Sequence, residues 1–119
     1  AMSAGHYQLD NLIGIIDRNG LEITGDTENV LKLEPLKKKW EDFGWSVRAV
    51  NGHDFGQLLE VFNSVPFKKG QPNLIIANTI KGKGVSFMED KVEWHHKTPS
   101  KKQLEEALAE LDEKRSRIK

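Results

Sequence analysis

The chain has 119 residues, enough for one modest domain, and its 18 Lys and Arg are balanced by 18 Asp and Glu. A formal net charge of zero gives no field to recommend nucleic acid or an anionic membrane as partner, and no run approaches the ~20 apolar residues of a membrane span. The absence of cysteine excludes disulfides, thiolate catalysis and Cys-ligated zinc.

The opening residues, AMSAGHYQLDN, have neither the basic start nor the apolar centre of a signal peptide, so the expectation is a soluble, cytoplasmic chain. Ala1–Gln8 reads as the end of a helix. Leu12–Asp17 is the first strand, an aliphatic run around a glycine that stops at Asp17-Arg18-Asn19-Gly20. Two readings of that stop are open. Asn-Gly between apolar runs is a strong hairpin signal. A polar turn at the carboxyl end of a parallel strand is also where α/β sheets bind ligands. Leu21–Thr24 has room only for a small local β-extension.

The stretch EPLKKKWEDFG places Leu36, Trp40 and Phe43 at i, i+4 and i+7, with Pro35 in a first-turn position and Gly44 where a C-terminal glycine belongs. Trp45–Val50 is the second strand, β-branched and aromatic but carrying Arg48. In DFGQLLEVFNSV, Phe55, Leu58, Leu59 and Phe62 make a helical stripe with Asp54 as N-cap. Leu74–Ile80 is the third and most continuously apolar strand. After it comes a long connection, NTIKGKGVSFMEDKVEWHHKTP, of the length that in compact domains is functional or disordered. Gly82 and Gly84 permit close main-chain approach. Lys81 and Lys83 suit either a phosphate or plain solvation. His95 and His96 lack a third ligand at helical spacing and are weak as a metal site, and Trp94 is expected to anchor the loop. His6 and His53 are isolated. The last helix, SKKQLEEALAELDEKRSRIK, opens with a Ser100/Gln103 capping box and carries Leu104, Ala107, Leu108 and Leu111 before fraying.

Strands separated by helices imply right-handed crossovers and a parallel sheet. The fold class is therefore α/β, a three-stranded parallel sheet with helices on both faces. This order weighs against a hairpin at Asn19-Gly20, because the residues beyond it lead to a helix.

The blocks GHYQLDNLIGIIDRNGLEITGDT, WEDFGWSVRAVNGHD, NTIKGKG and VEWHHKTPS, spread over nearly the whole chain, resemble the amino-terminal, pyrophosphate-binding module of transketolase, above all the bacterial form split into two subunits. The sister family, deoxyxylulose-phosphate synthase, shares the KGKG and Trp-His features but differs around the Asn-Gly turn. The resemblance implies a thiamine-diphosphate-binding fold whose last strand, Leu74–Ile80, lies between the other two. It also implies magnesium held by the Asn19 side chain and the Leu21 carbonyl, hard oxygen donors of the kind this ion takes. His95 is implied to lie near the cofactor and substrate and to assist proton transfer, with His96 as the competing assignment.

What the resemblance implies of function is transfer of two-carbon ketol units between sugar phosphates. It also implies homo-oligomerisation and a carboxy-terminal transketolase subunit. The Gly-Asp-Gly motif of the family has no match in residues 1–18. Residues 1–119 are accordingly expected to be one partial domain, the downstream portion of the module, inactive alone. The rival expectations are a section of a synthase-like thiamine enzyme and a fragment that binds no cofactor.

Overall fold

A computed structural model describes residues 1–117; Ile118 and Lys119 lie outside the described residues, so the fraying expected past Leu111 falls partly outside them, and the last helix runs to Arg117. The elements in order are α1 (Met2–His6), β1 (Ile13–Arg18), β2 (Leu21–Glu22), β3 (Gly25–Asp26), α2 (Thr27–Val30), α3 (Leu36–Asp42), β4 (Ser46–Asn51), α4 (Phe55–Asn63), β5 (Asn73–Asn78), a 3-10 turn (Val92–His95) and α5 (Lys101–Arg117). They divide into two compact units. The first comprises 1–19 and 31–79, and the second 20–30 and 80–119.

The first unit is a parallel sheet in the order β1-β5-β4. The central strand is the one expected to be central, with Leu74, Ile75, Ile76 and Ala77 all buried. The path from β1 to β4 crosses the sheet one way and that from β4 to β5 returns, so two right-handed crossovers put α3 and α4 on opposite faces. One face holds the main core: Ile16, Val47, Leu74 and Ile76 pack against Ala4 of α1 and Leu36, Trp40 and Trp45. The indoles of Trp40 and Trp45 meet edge to face at 5.0 Å, and Trp45 Nε1 donates to the Ala1 carbonyl at 3.0 Å. Ile13, Ile15 and Asp17 alternate to the other face, as does Ile75.

The strands lie one or two residues from their expected bounds. Arg18 and Asn51 remain in register with Asn78, while Thr79 and Ile80 fall outside the ladder. Helix starts and stops follow the sequence. Asp54 accepts from Gln57 N at 3.1 Å, and Gly44 takes φ +86° after α3, whereas Pro35 stands at the N-cap of that helix.

Of the apolar stripe expected on α4, Leu58 is half-buried and the other three residues are exposed. Val61 is the buried residue, while Phe55 and Leu59 are 81% and 65% exposed and Phe62 is also exposed. The apolar spacing marks an amphipathic helix, but its covered side runs through Leu58 and Val61 and not through Phe55 and Leu59.

In the second unit, β2 and β3 form an antiparallel hairpin whose tip is Ile23-Thr24, so the expected local β-extension exists and Asn19-Gly20 is not a hairpin tip. The predicted capping box of α5 is reciprocal: Gln103 N donates to Ser100 Oγ at 3.3 Å and Ser100 N to Gln103 Oε1 at 3.0 Å. Of its apolar positions only Ala107 is buried; Leu104, Leu108 and Leu111 are about half exposed.

Candidate functional site

In the first unit the carboxyl ends of all three strands are tied to one another. Thr79, the residue after β5, donates its N–H to the Arg18 carbonyl at 3.3 Å and its hydroxyl to Asp17 Oδ1. On the other side, Gly52 N donates to the Asn78 carbonyl at 2.8 Å, and Asn78 Nδ2 reaches the Val50 carbonyl at 3.4 Å. Gly52 is required by space. A Cβ there would lie 2.5 Å from Thr79 Cγ2 and 3.2 Å from the Asn78 carbonyl oxygen.

Arg18 is held from the α3 side. Its Nε and Nη2 donate to Glu34 Oε1 at 3.4 and 3.3 Å, and Glu34 Oε2 accepts from Leu36 N at 2.8 Å. The Leu36 amide, and after it the Arg18 guanidinium, hold the Glu34 carboxyl below its ordinary pKa. One carboxylate thus caps α3 and fixes the strand-end arginine. Asn19 ends this segment of the first unit. Asp17, which the sequence offered only as part of a polar turn, is a working member of the network.

In the second unit Gly20 has φ +79°, and among the described residues nothing lies within 4 Å of where its Cβ would stand. Its carbonyl accepts from Thr27 N at 2.9 Å, which starts α2. Leu21 pairs with Asp26 in the hairpin, and Asp26 Oδ1 accepts from Glu28 N at 2.8 Å.

The long connection in this unit is ordered by its own carboxylates. Glu89 Oε1 accepts from Gly84 N at 3.0 Å and faces Lys83 Nζ at 3.5 Å, and the Asp90 amide donates to the Lys81 carbonyl at 2.9 Å. Glu110 of α5 accepts from the Ser86 amide and hydroxyl at 2.7 and 2.6 Å, and Lys114 Nζ donates to the Gly84 carbonyl at 2.7 Å. The Gly84 amide holds the Glu89 carboxyl below its ordinary pKa, and the Ser86 hydroxyl does the same for Glu110. Gly82 cannot carry a side chain: its φ is +70° and a Cβ would meet the Met88 carbonyl oxygen at 2.5 Å. Of the two lysines weighed for phosphate, Lys83 is therefore already facing a carboxylate.

Trp94 anchors the far end of the loop as expected. Its Nε1 donates to the Phe87 carbonyl at 3.0 Å, its ring meets Phe87 at 5.4 Å, and Lys97 Nζ lies 4.8 Å over its face. His95 and His96 follow, both exposed, with their rings perpendicular at 4.4 Å. Of the three site residues expected from the sequence, Asn19 lies in the first unit and Leu21 and His95 in the second. Missed were Thr79, Gly52, Glu34, Glu89 and Glu110. Only Gly52 and Glu89 left a trace, as a glycine and an acid beside a polar turn and a basic loop. A separate cleft of about 380 Å³ lies along β4, between Lys37, Arg48, Gln57 and Glu60, and none of the expected site residues lines it.

Among the described residues no group of three or more His, Cys, Asp or Glu is placed to hold a metal ion. A divalent cation here would draw on amide and main-chain oxygens, and on oxygens of a bound ligand, as magnesium does. Among the described residues no helix is long and apolar enough to cross a membrane.

Residues 1–112 match the family described as transketolase, thiamine diphosphate binding domain. One of the subunits of the apulose-4-phosphate transketolase of Phocaeicola vulgatus is 45% identical over 114 residues, which cover 96% of this chain and 41% of that protein. The transketolase of Rattus norvegicus is 37% identical over 91% of this chain and 17% of its own length. A crystal structure of the transketolase from Campylobacter jejuni superposes on 93% of this chain with a TM-score of 0.82 at 30% identity, and this chain spans 17% of it. The chain thus spans under half the length of the curated relatives it matches, and it belongs to the transketolase family, within the thiamine diphosphate-binding domain.

Proposed function

We propose that the chain is the downstream portion of the cofactor-binding domain of a transketolase, with all of residues 1–119 serving that one domain, and that it works in the cytoplasm. The observation that carries this reading is the turn Asp17-Arg18-Asn19-Gly20, set at the carboxyl end of a parallel strand in a chain of this family. In this reading the Asn19 side-chain oxygen and the Leu21 carbonyl are ligands of a magnesium ion shared with the diphosphate of thiamine diphosphate. When bound, the thiamine supplies the carbanion chemistry for transfer of two-carbon ketol units between sugar phosphates. The donor set fits such an ion: an amide and a main-chain carbonyl, with open space beside Gly20.

The role of the chain is to bind and orient. His95, at the end of the 3-10 turn, is assigned the substrate side of the site, where an imidazole can hold a substrate oxygen and move a proton near neutral pH. The Glu89 and Glu110 contacts give the loop a fixed shape. Relatives that are named as one subunit of a transketolase support a partner subunit; in this reading that partner is the carboxy-terminal section of the enzyme, and the assembly is homo-oligomeric. The relative named for apulose-4-phosphate supports a phosphorylated sugar as substrate class.

The test is calorimetry with thiamine diphosphate and magnesium on the enzyme assembled with its partner subunit, in wild-type form and with Asn19→Ala and His95→Ala. Asn19→Ala should remove magnesium-dependent binding, and His95→Ala should leave it intact while ketol transfer falls. Equal binding by wild type and Asn19→Ala would reject the metal assignment. The 119-residue chain alone should show no binding at micromolar protein.

A further inference from the structure

We propose that Thr79 is a positioning residue for the Asn19 turn, an inference that rests on the reading of Asn19 as a ligand of the cofactor's metal. Thr79 grips the two residues that precede Asn19. Its N–H donates to the Arg18 carbonyl at 3.3 Å, which fixes the plane of the peptide linking Arg18 to Asn19. Its hydroxyl donates to Asp17 Oδ1, a charge-assisted bond that spans 62 residues of sequence.

The third face of Thr79 is fixed by Gly52. A Cβ at Gly52 would stand 2.5 Å from Thr79 Cγ2, so the missing side chain is what admits the threonine methyl. A β-branched residue has few χ1 choices. With the methyl against Gly52 and the hydroxyl on Asp17, Thr79 has one rotamer that satisfies both. The strand end is thus built from three directions: β5 through Thr79, β4 through Gly52, and α3 through Glu34 on Arg18. A metal ligand needs this support, because a side chain that must hold an ion is only as well placed as its own main chain.

Threonine supplies what valine and serine each supply in half. Thr79→Val keeps the methyl against Gly52 and loses the bond to Asp17; Thr79→Ser keeps the hydroxyl. Two readouts are taken. The first is amide hydrogen exchange at Asn19 and Gly20 in the chain itself, with the Ile75 and Ile76 amides as the internal reference. The second is the affinity of the assembled enzyme for thiamine diphosphate at saturating magnesium. Thr79→Val should raise exchange at Asn19 and Gly20 without changing the reference amides, and should weaken cofactor affinity by about ten-fold. Thr79→Ser, which keeps the bond to Asp17 but not the methyl against Gly52, should lie between wild type and Thr79→Val in both. Asp17→Ala, which alters only an exposed side chain and keeps the fold if Thr79→Val does not, should have the same two effects, and the double variant should add nothing further.

Unchanged exchange at Asn19 in Thr79→Val and Asp17→Ala overturns the inference, whatever the cofactor does. Faster exchange with an unchanged affinity in an enzyme that binds the cofactor overturns the functional link alone. A wild-type enzyme that binds no thiamine diphosphate overturns the reading of Asn19 itself, and with it any role of Thr79 towards a metal.

Discussion

Asn73 offers the sharpest test of how the first unit is held together. It is fully buried, 0% exposed, at the start of the central strand. Its Oδ1 accepts from Phe67 N at 2.7 Å, and its Nδ2 donates to the carbonyls of Asp10 at 2.7 Å and Leu12 at 3.1 Å. One side chain therefore joins the segment before β1, the connection after α4 and β5 itself. In Asn73→Ala the Leu12 carbonyl keeps the main-chain N–H of residue 73 at 2.9 Å, whereas Phe67 N and the Asp10 carbonyl lose these partners. A buried polar group left without a partner costs about 1–3 kcal/mol, so the two together cost about 2–6 kcal/mol. A domain of this size has about 5–15 kcal/mol in total. Urea unfolding followed by tryptophan fluorescence should show the midpoint falling by about 1–2 M with an unchanged slope. Asn73→Asp should be no better, because a carboxylate accepts from Phe67 N but sets negative charge against two carbonyl oxygens. A loss below about 1 kcal/mol for Asn73→Ala would refute the account, and would mean that water or a main-chain shift replaces the side chain.

Gly52→Ala should cost about 1–3 kcal/mol in chemical unfolding, since its Cβ would sit 2.5 Å from Thr79 Cγ2 and 3.2 Å from a main-chain oxygen; a neutral result would show that Thr79 is free to move. Leu59→Ser should change stability by no more than about 0.5 kcal/mol, because the side chain is 65% exposed, and a larger loss would place it in the core after all. The depressed carboxyls of Glu89 and Glu110 stabilise the loop above their unfolded-state pKa, near 4.5, and that contribution is lost as pH falls through their lower folded values. The Gly84 amide resonance should therefore titrate below pH 4.5, and should cease to do so in Glu89→Gln. Among the described residues β1 is an edge strand, and Ile15 is 58% exposed on it, so the isolated chain should either self-associate through residues 12–17, with Ile15→Lys reducing this, or be marginally stable. A wild-type chain that sediments as a monomer at high concentration and is cooperatively folded would reject that expectation.

The three strands were legible because each is a short apolar run closed by turn residues, and the central one was legible because its run, Leu74 to Ala77, is the most continuously apolar of the three. Their ends were not, because the ladder follows main-chain pairing and not side-chain polarity. Arg18 and Asn51 stay in the sheet beside Asn78, and Asn73 enters it because its side chain is fully bonded. The helix stripes show a different limit. Phe55, Leu59 and Phe62 repeat at helical spacing, yet the sheet takes Val61. Periodicity identifies a face that is apolar; which face is covered depends on where neighbouring elements stand, and that is tertiary information.

The candidate site divides in the same way. A polar turn after an aliphatic strand can be read from composition, and the choice between hairpin and ligand turn follows from the strand–helix order around it. The supports of that turn cannot be read so. Thr79 looks in sequence like the tail of an apolar strand, and its partner Asp17 is 62 residues away. Glu34 looks like a residue before a proline, and does two jobs only because α3 begins beside the end of β1. Chemistry at a strand end needs a few residue types that composition reveals; holding them still needs contacts between distant segments, which only the fold brings together. Mutational scans of a chain like this one should accordingly find sensitivity at Thr79, Gly52 and Glu34, positions that no local motif would single out.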